Sequence, residues 1–247
     1  MRAGVFDSGV GGLSVLKSLI NAKFFDEIIY YGDTARVPYG VKDKQTIVRF
    51  SLEALDFFAP HNIDILIVAC NTVSAYALKE MQAKSKIPIV GVIEPGVLAV
   101  QNKLTHTDSQ ILVIATRATI NSGEYEVRLR KIGFWNLKSL ATGLFVPMVE
   151  EGILEGVVLE SVFEHYFSQI TTPPKAIILG CTHFPLIAPA LSAYFKHQSI
   201  LIHSGEAIVE YLQSHLNLTS QGDLKSLQFY ASENPAMLTK IAQKWLN

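Results

Sequence analysis

Short apolar runs recur along the chain, and most of them are continuous rather than alternating with polar residues. Strands of a parallel sheet have this pattern when helices cover both faces, because neither side of the strand meets water. The runs that predict strands are AGVF, EIIYY, IDILIVA, IPIVGVI, QILVIA, PKAIILG, SILIH and LQFYA.

Helical patterns lie between these runs. One predicted helix, which Pro60 should end, carries an apolar face formed by Ile47, Phe50, Ala54, Leu55 and Phe58. Near the C-terminus, Asn234 and Pro235 predict the cap and first turn of another helix, whose apolar stripe contains Leu238, Ile241, Ala242 and Trp245. The alternation of strands and helices predicts an α/β fold.

A weak internal repeat involves the only two cysteines of the chain. IDILIVACNT and PKAIILGCTH each join an apolar run to a cysteine and then to a helical pattern. The repeat suggests two similar α/β halves, with Cys70 and Cys181 at matching corners. No low-complexity tract or evident linker separates the halves.

The composition is typical of a compact globular protein. The 247 residues are 49% hydrophobic and 17% charged, enough for one or two domains. A formal net charge of -1, with no lysine- or arginine-rich run, argues against nucleic-acid and membrane-surface partners. The N-terminal apolar stretch is too short for a signal peptide, so we expect a cytoplasmic protein with reduced thiols.

Residues 176–195 contain no lysine, arginine or acidic residue and approach the length of a membrane span. Gly180, Pro185 and Pro189 interrupt this segment, and its first third has the pattern of a strand. We therefore expect a buried strand followed by a helix.

The two cysteine corners are candidate reactive positions. Ligands of open α/β sheets bind beyond the carboxyl ends of the strands, near helix N-termini that stabilise thiolates and attract carboxylates. Asn71, Thr72 and Thr182 are candidates for capping those helices or for binding a ligand carboxylate. One cysteine alone would be read as a small buried residue, whereas two in matching corners favour a functional pair.

The segment FDSGVGGLSVL allows two interpretations. Gly9, Gly11 and Gly12 resemble a dinucleotide fingerprint, with Asp33 at a plausible distance for a ribose contact, but Ser14 stands where the third glycine belongs. A nicotinamide-dependent oxidoreductase is therefore one alternative. Asp7 would repel a phosphate, so we interpret it as a base or as a group that orients a thiol.

Other polar residues follow strands or lie in loops. The loop GDTARVPYG presents Tyr39 and Gly40, and Thr116 and Thr119 follow another strand. His183 lies two residues after Cys181, and no second pair exists to complete a metal site, so it is an acid/base candidate. Glu150 and Glu151 precede a glycine on what we expect to be a solvated turn.

Several blocks together resemble the cofactor-independent aspartate/glutamate racemase family, and glutamate racemases in particular. They are GVFDSGVGGLSVL, YYGDTARVPYG, VACNT, GVIEPG, ATRATINSGEY and LGCTHFPL, in the family's order and spacing over nearly the whole chain. One departure is His203 in LIHSGEAI, where aspartate is more often expected.

The resemblance implies two similar α/β domains with mainly parallel sheets and an active site in the cleft between them. It divides the chain into residues 1–92 plus 206–247 and residues 93–205. It also implies racemisation without a cofactor or metal, supplying D-glutamate for peptidoglycan. L- and D-glutamate would be the small-molecule partners, and a homodimer is one of the oligomeric states that the sequence leaves open.

The resemblance also assigns roles to individual residues. Cys70 and Cys181 would be the paired acid and base, assisted by Asp7, His183 and Glu150. The residues expected to bind the substrate are Asp7, Ser8, Tyr39, Gly40, Asn71, Thr72, Thr116, Thr119, Thr182 and His183. Two further alternatives are a racemase of a related amino acid such as aspartate, and a thiol-containing module that binds glutamate without exchanging its Cα proton.

Overall fold

Two parallel β-sheets form the framework of the protein in a computed structural model, which describes residues 1–246. The strands are β1 (Arg2–Asp7), β2 (Glu27–Gly32), β3 (Ile65–Val68), β4 (Ile89–Gly91), β5 (Ile111–Ala115), β6 (Leu137–Ala141), β7 (Ala176–Gly180), β8 (Ile200–His203) and β9 (Ser226–Ala231). The first sheet has the order β4-β3-β1-β2-β9, and the second has the order β6-β5-β7-β8. Every neighbouring pair is parallel, which confirms the predicted fold class.

Helices cover both faces of each sheet. They are α1 (Leu13–Ala22), α2 (Lys44–Phe58), α3 (Asn71–Tyr76), α4 (Leu78–Lys84), α5 (Ile93–Lys103), α6 (Arg117–Ser122), α7 (Glu124–Lys131), α8 (Phe145–Glu150), α9 (Val157–Phe167), α10 (Ala188–Tyr194), α11 (Ser204–His215) and α12 (Pro235–Leu246). Short 3-10 turns occupy Thr34–Arg36, Tyr39–Val41, Ala59–His61 and Phe184–Ile187.

Strand β3 shows why the apolar runs are continuous. Ile65 and Ile67 pack into a core formed with α1, α11 and α12, whereas Leu66 and Val68 pack into a second core with α2, α3 and α4. Successive side chains of a strand point to opposite faces, so a strand covered on both sides needs apolar residues at every position. The second sheet likewise has a core on each face.

The predicted helix boundaries agree with the structure in three places. Helix α2 ends at Phe58, and Pro60 lies in the following 3-10 turn. The Oδ1 of Asn234 accepts a hydrogen bond from the backbone N–H of Met237 at 3.2 Å, which caps α12. Residues 176–195 form β7, a 3-10 turn and α10.

Strand β6 was not predicted. It is the edge strand of the second sheet, and all five of its residues are only half-buried. Lys138 and Ser139 face partly to solvent, so the sequence contains no continuous apolar run there. An edge strand needs less apolar surface than a central strand, which removes the signal on which the prediction relied.

The chain crosses between the two sheets twice. Strands β1 to β4 and β9 belong to the first sheet, although the second sheet lies between them in the sequence. Helix α11 contributes to the cores of both sheets. Ile208 and Leu212 pack into the core of the first sheet beside α1, and Ala207 packs into the core of the second sheet beside α5. The boundaries at residues 92 and 205 remain a prediction.

None of the helices in residues 1–246 combines the length and the apolar character that crossing a membrane requires.

Candidate active site

Cys70 and Cys181 lie on one narrow cleft between the two sheets. Cys70 lies two residues beyond β3, and Cys181 directly follows β7, so each occupies the carboxyl end of an inner strand of its own sheet. The cleft encloses about 30 Å³, which accommodates about one water molecule. Its lining residues are Ser8, Val37, Pro38, Tyr39, Gly40, Cys70, Asn71, Thr72, Thr116, Val146, Glu150, Gly180, Cys181, Thr182 and His183.

The structure therefore brings together most of the residues expected in the site. Asp7 and Thr119 are the two expected residues that do not line the cleft, and both are buried immediately behind it. A larger cavity of about 840 Å³ lies next to Glu150, between α1, α11 and α12, but neither cysteine lines it. We assign the chemistry to the smaller cleft because the nucleophilic and titratable side chains converge there.

Cys70 occupies the N-cap position of α3, and its Sγ lies 3.6 Å from the Oγ of Ser8. The side chains of Asn71 and Thr72 do not cap this helix, contrary to one of the two roles proposed for them. Burial, with the negative charge of Asp7, raises the pKa of Cys70 to about 12 and outweighs the backbone N–H of Val73. The helix N-terminus thus favours the thiolate of Cys70 through the backbone N–H of Val73, as expected, but burial and Asp7 have the larger effect on its pKa.

Cys181 begins a chain of three side chains. Its Sγ lies 3.7 Å from the Nδ1 of His183, whose Nε2 lies 3.1 Å from the Oε1 of Glu150. Burial acts to lower the pKa of His183, but the hydrogen bonds to Cys181 and Glu150 and the charge of Asp7 raise it to about 10. A protonated His183 can stabilise negative charge on the neighbouring sulfur.

Two local expectations at this corner need correction. Cys181 is followed by a 3-10 turn at Phe184–Ile187, and α10 begins only at Ala188, so no α-helix N-terminus lies at the thiol. Glu150 is the last residue of α8 and contacts His183, although its side chain is exposed like that of the adjacent Glu151. The expectation of a merely solvated turn holds for Glu151 alone.

Asp7 is fully buried at the end of β1, between the two corners. Its Oδ2 accepts a hydrogen bond from the N–H of Gly9 at 3.0 Å, and its Oδ1 accepts one from the hydroxyl of Thr182 at 3.4 Å. Thr182 therefore bonds to Asp7 rather than capping a helix. Burial raises the pKa of Asp7 against the opposing charge of His183.

The glycines after β1 allow close packing of the site. A Cβ atom on Gly11 would lie 2.3 Å from the Oγ1 of Thr182 and 2.5 Å from the Nδ1 of His183. The side chains of the candidate active site thus occupy the space that a phosphate would need. Asp33, the candidate ribose ligand, is fully buried and bonded within its own loop. The dinucleotide interpretation loses both of its supporting observations.

Asp33 anchors the loop that carries Tyr39 and Gly40. Its Oδ2 accepts hydrogen bonds from the Nε of Arg36 at 2.7 Å and from the hydroxyl of Tyr39. The phenol of Tyr39 is therefore already engaged by Asp33, and its carbonyl accepts a hydrogen bond from the backbone N–H of Lys42 at 3.0 Å. A Cβ atom on Gly40 would lie 2.5 Å from the Cβ of Thr116, so only glycine allows this close approach to the second domain.

Three threonine hydroxyls form a triangle across the cleft. The Oγ1 atom of Thr72 lies 3.0 Å from that of Thr116 and 3.1 Å from that of Thr119, and the latter two are 3.0 Å apart. Thr72 comes from α3, whereas Thr116 caps α6 and Thr119 lies within it. The triangle joins the corner of Cys70 to the second domain.

The sequence interpretation missed several residues that hold the site together. Asp33 was assigned to another function, and Tyr125 and Ser204, which contact Asn71, were not singled out. The ATRATINSGEY and LIHSGEAI blocks contain these two residues, but nothing in the spacing shows which partner they reach. His203 precedes Ser204 and lines the larger cavity rather than the cleft.

Within residues 1–246, no group of three or more histidine, cysteine, aspartate or glutamate side chains is arranged to hold a metal ion. The titratable groups in the cleft and directly behind it are two thiols, one imidazole and two carboxylates, surrounded by hydroxyl and amide groups.

Known proteins resemble this chain over its whole length. The chain matches the sequence profile of the family described as Asp/Glu/Hydantoin racemase over residues 14–212. It is 59% identical to the glutamate racemase of a Nitratiruptor species, with 100% of this chain and 96% of that protein covered.

Solved structures are similar in both sheets. The glutamate racemase of Campylobacter jejuni subsp. jejuni has a TM-score of 0.98 at 59% identity, covering 100% of this chain and 98% of the other. The glutamate racemase of Francisella tularensis subsp. tularensis, in complex with D-glutamate, has a TM-score of 0.86 at 35% identity, covering 99% and 93%.

Proposed function

This chain belongs to the Asp/Glu/Hydantoin racemase family and racemises glutamate, and we propose that Cys70 and Cys181 are the acid and base that do so. The observation that carries the proposal is their position: two thiols, at the carboxyl ends of strands in two different sheets, line one cleft. The D-glutamate formed would supply peptidoglycan synthesis, which is the known role of glutamate racemases.

Racemisation requires a proton to leave one face of Cα and another to arrive on the opposite face. Two equivalent groups on opposing walls of a cleft meet this requirement, and they exchange roles when the reaction runs backward. Thiols suit both roles, because a thiolate is a good base and a thiol a competent acid. A cysteine at the carboxyl end of an inner strand in each sheet supplies such a pair by approximate symmetry.

The surroundings of the thiols favour one starting arrangement. Cys70, with its pKa raised to about 12, holds its proton at neutral pH and can act as the acid. Cys181 faces His183, which is positively charged at neutral pH because its pKa is raised to about 10. In this state Cys181 removes the Cα proton of L-glutamate, and Cys70 delivers a proton to the other face to give D-glutamate.

The reverse reaction needs the opposite protonation states. Cys70 would then be the base for D-glutamate, with Asp7 assisting, and Cys181 the acid, with His183 and Glu150 assisting. Asp7 has a raised pKa because it is buried, so it can hold or release a proton beside the Cys70 corner. The two proton-transfer steps, at Cys70 and at Cys181, therefore depend on different helper residues in either direction.

Hydroxyl and amide groups around the cleft would stabilise the carbanion formed between the two proton transfers. Asn71, Thr72 and Thr116 line the cleft and can donate hydrogen bonds to a substrate carboxylate, where charge develops in the transition state. Ser8, Tyr39, Gly40, Thr119, Thr182 and His183 complete the proposed substrate site. The enclosed space fits about one water molecule, so glutamate must separate the walls before they close around it.

We further propose that the enzyme needs no cofactor and acts in the cytoplasm. Both cysteines are free and buried, which suits a reducing compartment. Racemisation by two thiols needs no electron sink beyond the hydrogen-bond donors of the cleft. A homodimer is compatible with this mechanism, because all of the proposed site residues come from one chain.

Proton NMR of L-glutamate in heavy water tests the proposal. Pure protein, dialysed against a chelator and supplied with no pyridoxal phosphate, should remove the α-proton signal while the optical rotation decays toward zero. L-aspartate serves as the comparison substrate. If glutamate binds but its α-proton does not exchange, the protein is a glutamate-binding module and not a racemase. Activity that requires pyridoxal phosphate or a metal would contradict the cofactor-independent mechanism.

A further inference from the structure

Two hydroxyl groups hold the side chain of Asn71. The hydroxyl of Tyr125 donates a hydrogen bond to its Oδ1 at 2.7 Å. The Oγ of Ser204 lies 3.4 Å from its Nδ2 and 3.5 Å from its Oδ1. All three side chains are buried, with exposed fractions of 2%, 3% and 3% for Asn71, Tyr125 and Ser204. We call Tyr125 and Ser204 the Asn71 clamp.

The clamp determines which end of the amide faces the cleft. If the amide of Asn71 were flipped, its nitrogen would face Tyr125, and the phenol would lose the carbonyl acceptor that it has at 2.7 Å and would have to donate to Ser204 instead. The bond from the phenol to Oδ1 is the shortest contact among the three side chains, so it favours the observed orientation of the amide. With Oδ1 fixed on Tyr125, the amide nitrogen has an N–H left for the cleft that Asn71 lines.

Tyr125 also contacts the opposite corner of the site. A Cβ atom on Gly180 would lie 3.2 Å from the Cε2 of Tyr125, so the phenol ring packs against the residue that precedes Cys181. The same side chain bonds to the residue that follows Cys70. Burial raises the pKa of Tyr125, which keeps its hydroxyl protonated and able to donate.

We propose that Tyr125, assisted by Ser204, is a positioning residue for racemisation: it joins the two thiol-bearing corners and turns an N–H of Asn71 toward a substrate carboxylate. This inference rests on the proposed function, in which Asn71 binds glutamate. Tyr125 itself does not touch the substrate, because its hydroxyl is engaged by Asn71 and its ring lies behind Gly180.

Exchange of the α-proton of L- and D-glutamate in heavy water provides the test. Tyr125→Phe keeps the ring and removes only the hydroxyl. We expect kcat/KM to fall about tenfold for both enantiomers, chiefly through a higher KM, because the amide can then present its oxygen to the carboxylate. Tyr194→Phe is the matched control, since its hydroxyl bonds to the exposed Glu164, and it should behave as the wild type.

A double-mutant cycle separates positioning from packing. In an Asn71→Leu background no amide remains to be oriented, so Tyr125→Phe should change kcat/KM by less than about twofold. An equal loss in both backgrounds would show that Tyr125 acts only by packing, and no loss in the wild-type background would likewise overturn the proposal. Calorimetric binding of D-glutamate to the same variants in a Cys70→Ser, Cys181→Ser background gives the same cycle without turnover.

Two further outcomes are distinguishable. If Tyr125→Phe does not fold, Ser204→Ala carries the test: a loss of about threefold is expected in the wild-type background and none in Asn71→Leu, and equal losses in both would refute the clamp. If the wild-type protein itself exchanges no α-proton, the proposed function fails, whatever the variants do.

Discussion

The Nδ1 of His183 lies 3.7 Å from the Sγ of Cys181, close enough for an imidazolium and a thiolate to form a hydrogen-bonded pair. The other nitrogen of the ring is held by Glu150, so the imidazole is fixed at both ends. Cys70, by contrast, faces the hydroxyl of Ser8. The two thiols are therefore equivalent in position but not in electrostatic environment, and the predictions below depend on this difference.

Glu150→Gln should lower the pKa of His183 from about 10, because it removes one of the groups that raise it. The matched control is Glu151→Gln, which removes the same charge from the adjacent, exposed position. The measurement is the NMR titration of the His183 ring protons. An unchanged midpoint in Glu150→Gln, or the same change in both variants, would contradict the pairing.

The same pKa predicts how stability depends on pH. His183 has a folded-state pKa raised above its usual 6.5, so its contribution to stability is fully present below about pH 6.5 and is lost as the pH rises through about 10. The free energy of unfolding in urea should therefore differ most between wild type and His183→Asn at low pH. The difference should shrink between about pH 6.5 and 10, and a difference that grows over this range would have the wrong sign.

Cys70→Ser and Cys181→Ser should each reduce α-proton exchange by about 10²–10⁴-fold or more, the range typical of a lost acid or base. Each variant removes the proton carrier of one wall, while the hydroxyl nearly matches the thiol in size. Circular dichroism and thermal melting should show a folded protein. Turnover near that of the wild type in either variant would remove that cysteine from the mechanism.

Cys70 should react slowly with alkylating reagents near neutral pH. In Cys181→Ser it is the remaining thiol, and its pKa of about 12 predicts an alkylation rate that rises about tenfold per pH unit from about pH 7 to 10. Adding Asp7→Asn should increase the rate, because it removes a negative charge that disfavours the thiolate. Asp56→Asn, at an exposed position, should not, and a plateau below about pH 9 would disprove the raised pKa.

Isotope effects should separate the helper residues by direction. The two enantiomers have equal free energy, so kcat/KM must be the same in both directions even for variants. If Asp7→Asn slows the Cys70 step, the primary isotope effect with α-deuterated D-glutamate should rise while that with α-deuterated L-glutamate falls. His183→Asn should show the reverse, and parallel changes in both variants would make the two residues substrate-positioning groups.

Local pattern was sufficient to predict eight of the nine strands found in residues 1–246 and the positions of the two cysteines at strand ends. Each corner consists of a buried strand followed directly by its polar residues, so the relevant information lies within about ten residues. The glycine segment wrongly suggested a dinucleotide site, because the same glycine spacing occurs where a phosphate binds and where side chains pack closely. Only the positions of Thr182 and His183 in the structure decide between these two uses.

The residues that support the site could not be predicted, because they are distant in sequence from the residues that they contact. Tyr125 and Asn71 are separated by 54 positions, and Ser204 and Asn71 by 133. No periodicity links such residues, because their proximity results from the packing of one domain on the other. Strand β6 escaped prediction for a different reason, since its half-buried edge position requires no apolar run.

The last strand of the first sheet has a consequence for synthesis on the ribosome. Strands β5 to β8 are contiguous in the sequence and can pair as soon as residue 203 has left the exit tunnel. The edge of β2, by contrast, has no neighbour until β9 emerges at residues 226–231. Strands β1 to β4 must therefore wait, with an open sheet edge, for a strand that is translated after the whole second sheet, and that edge can mispair during the interval.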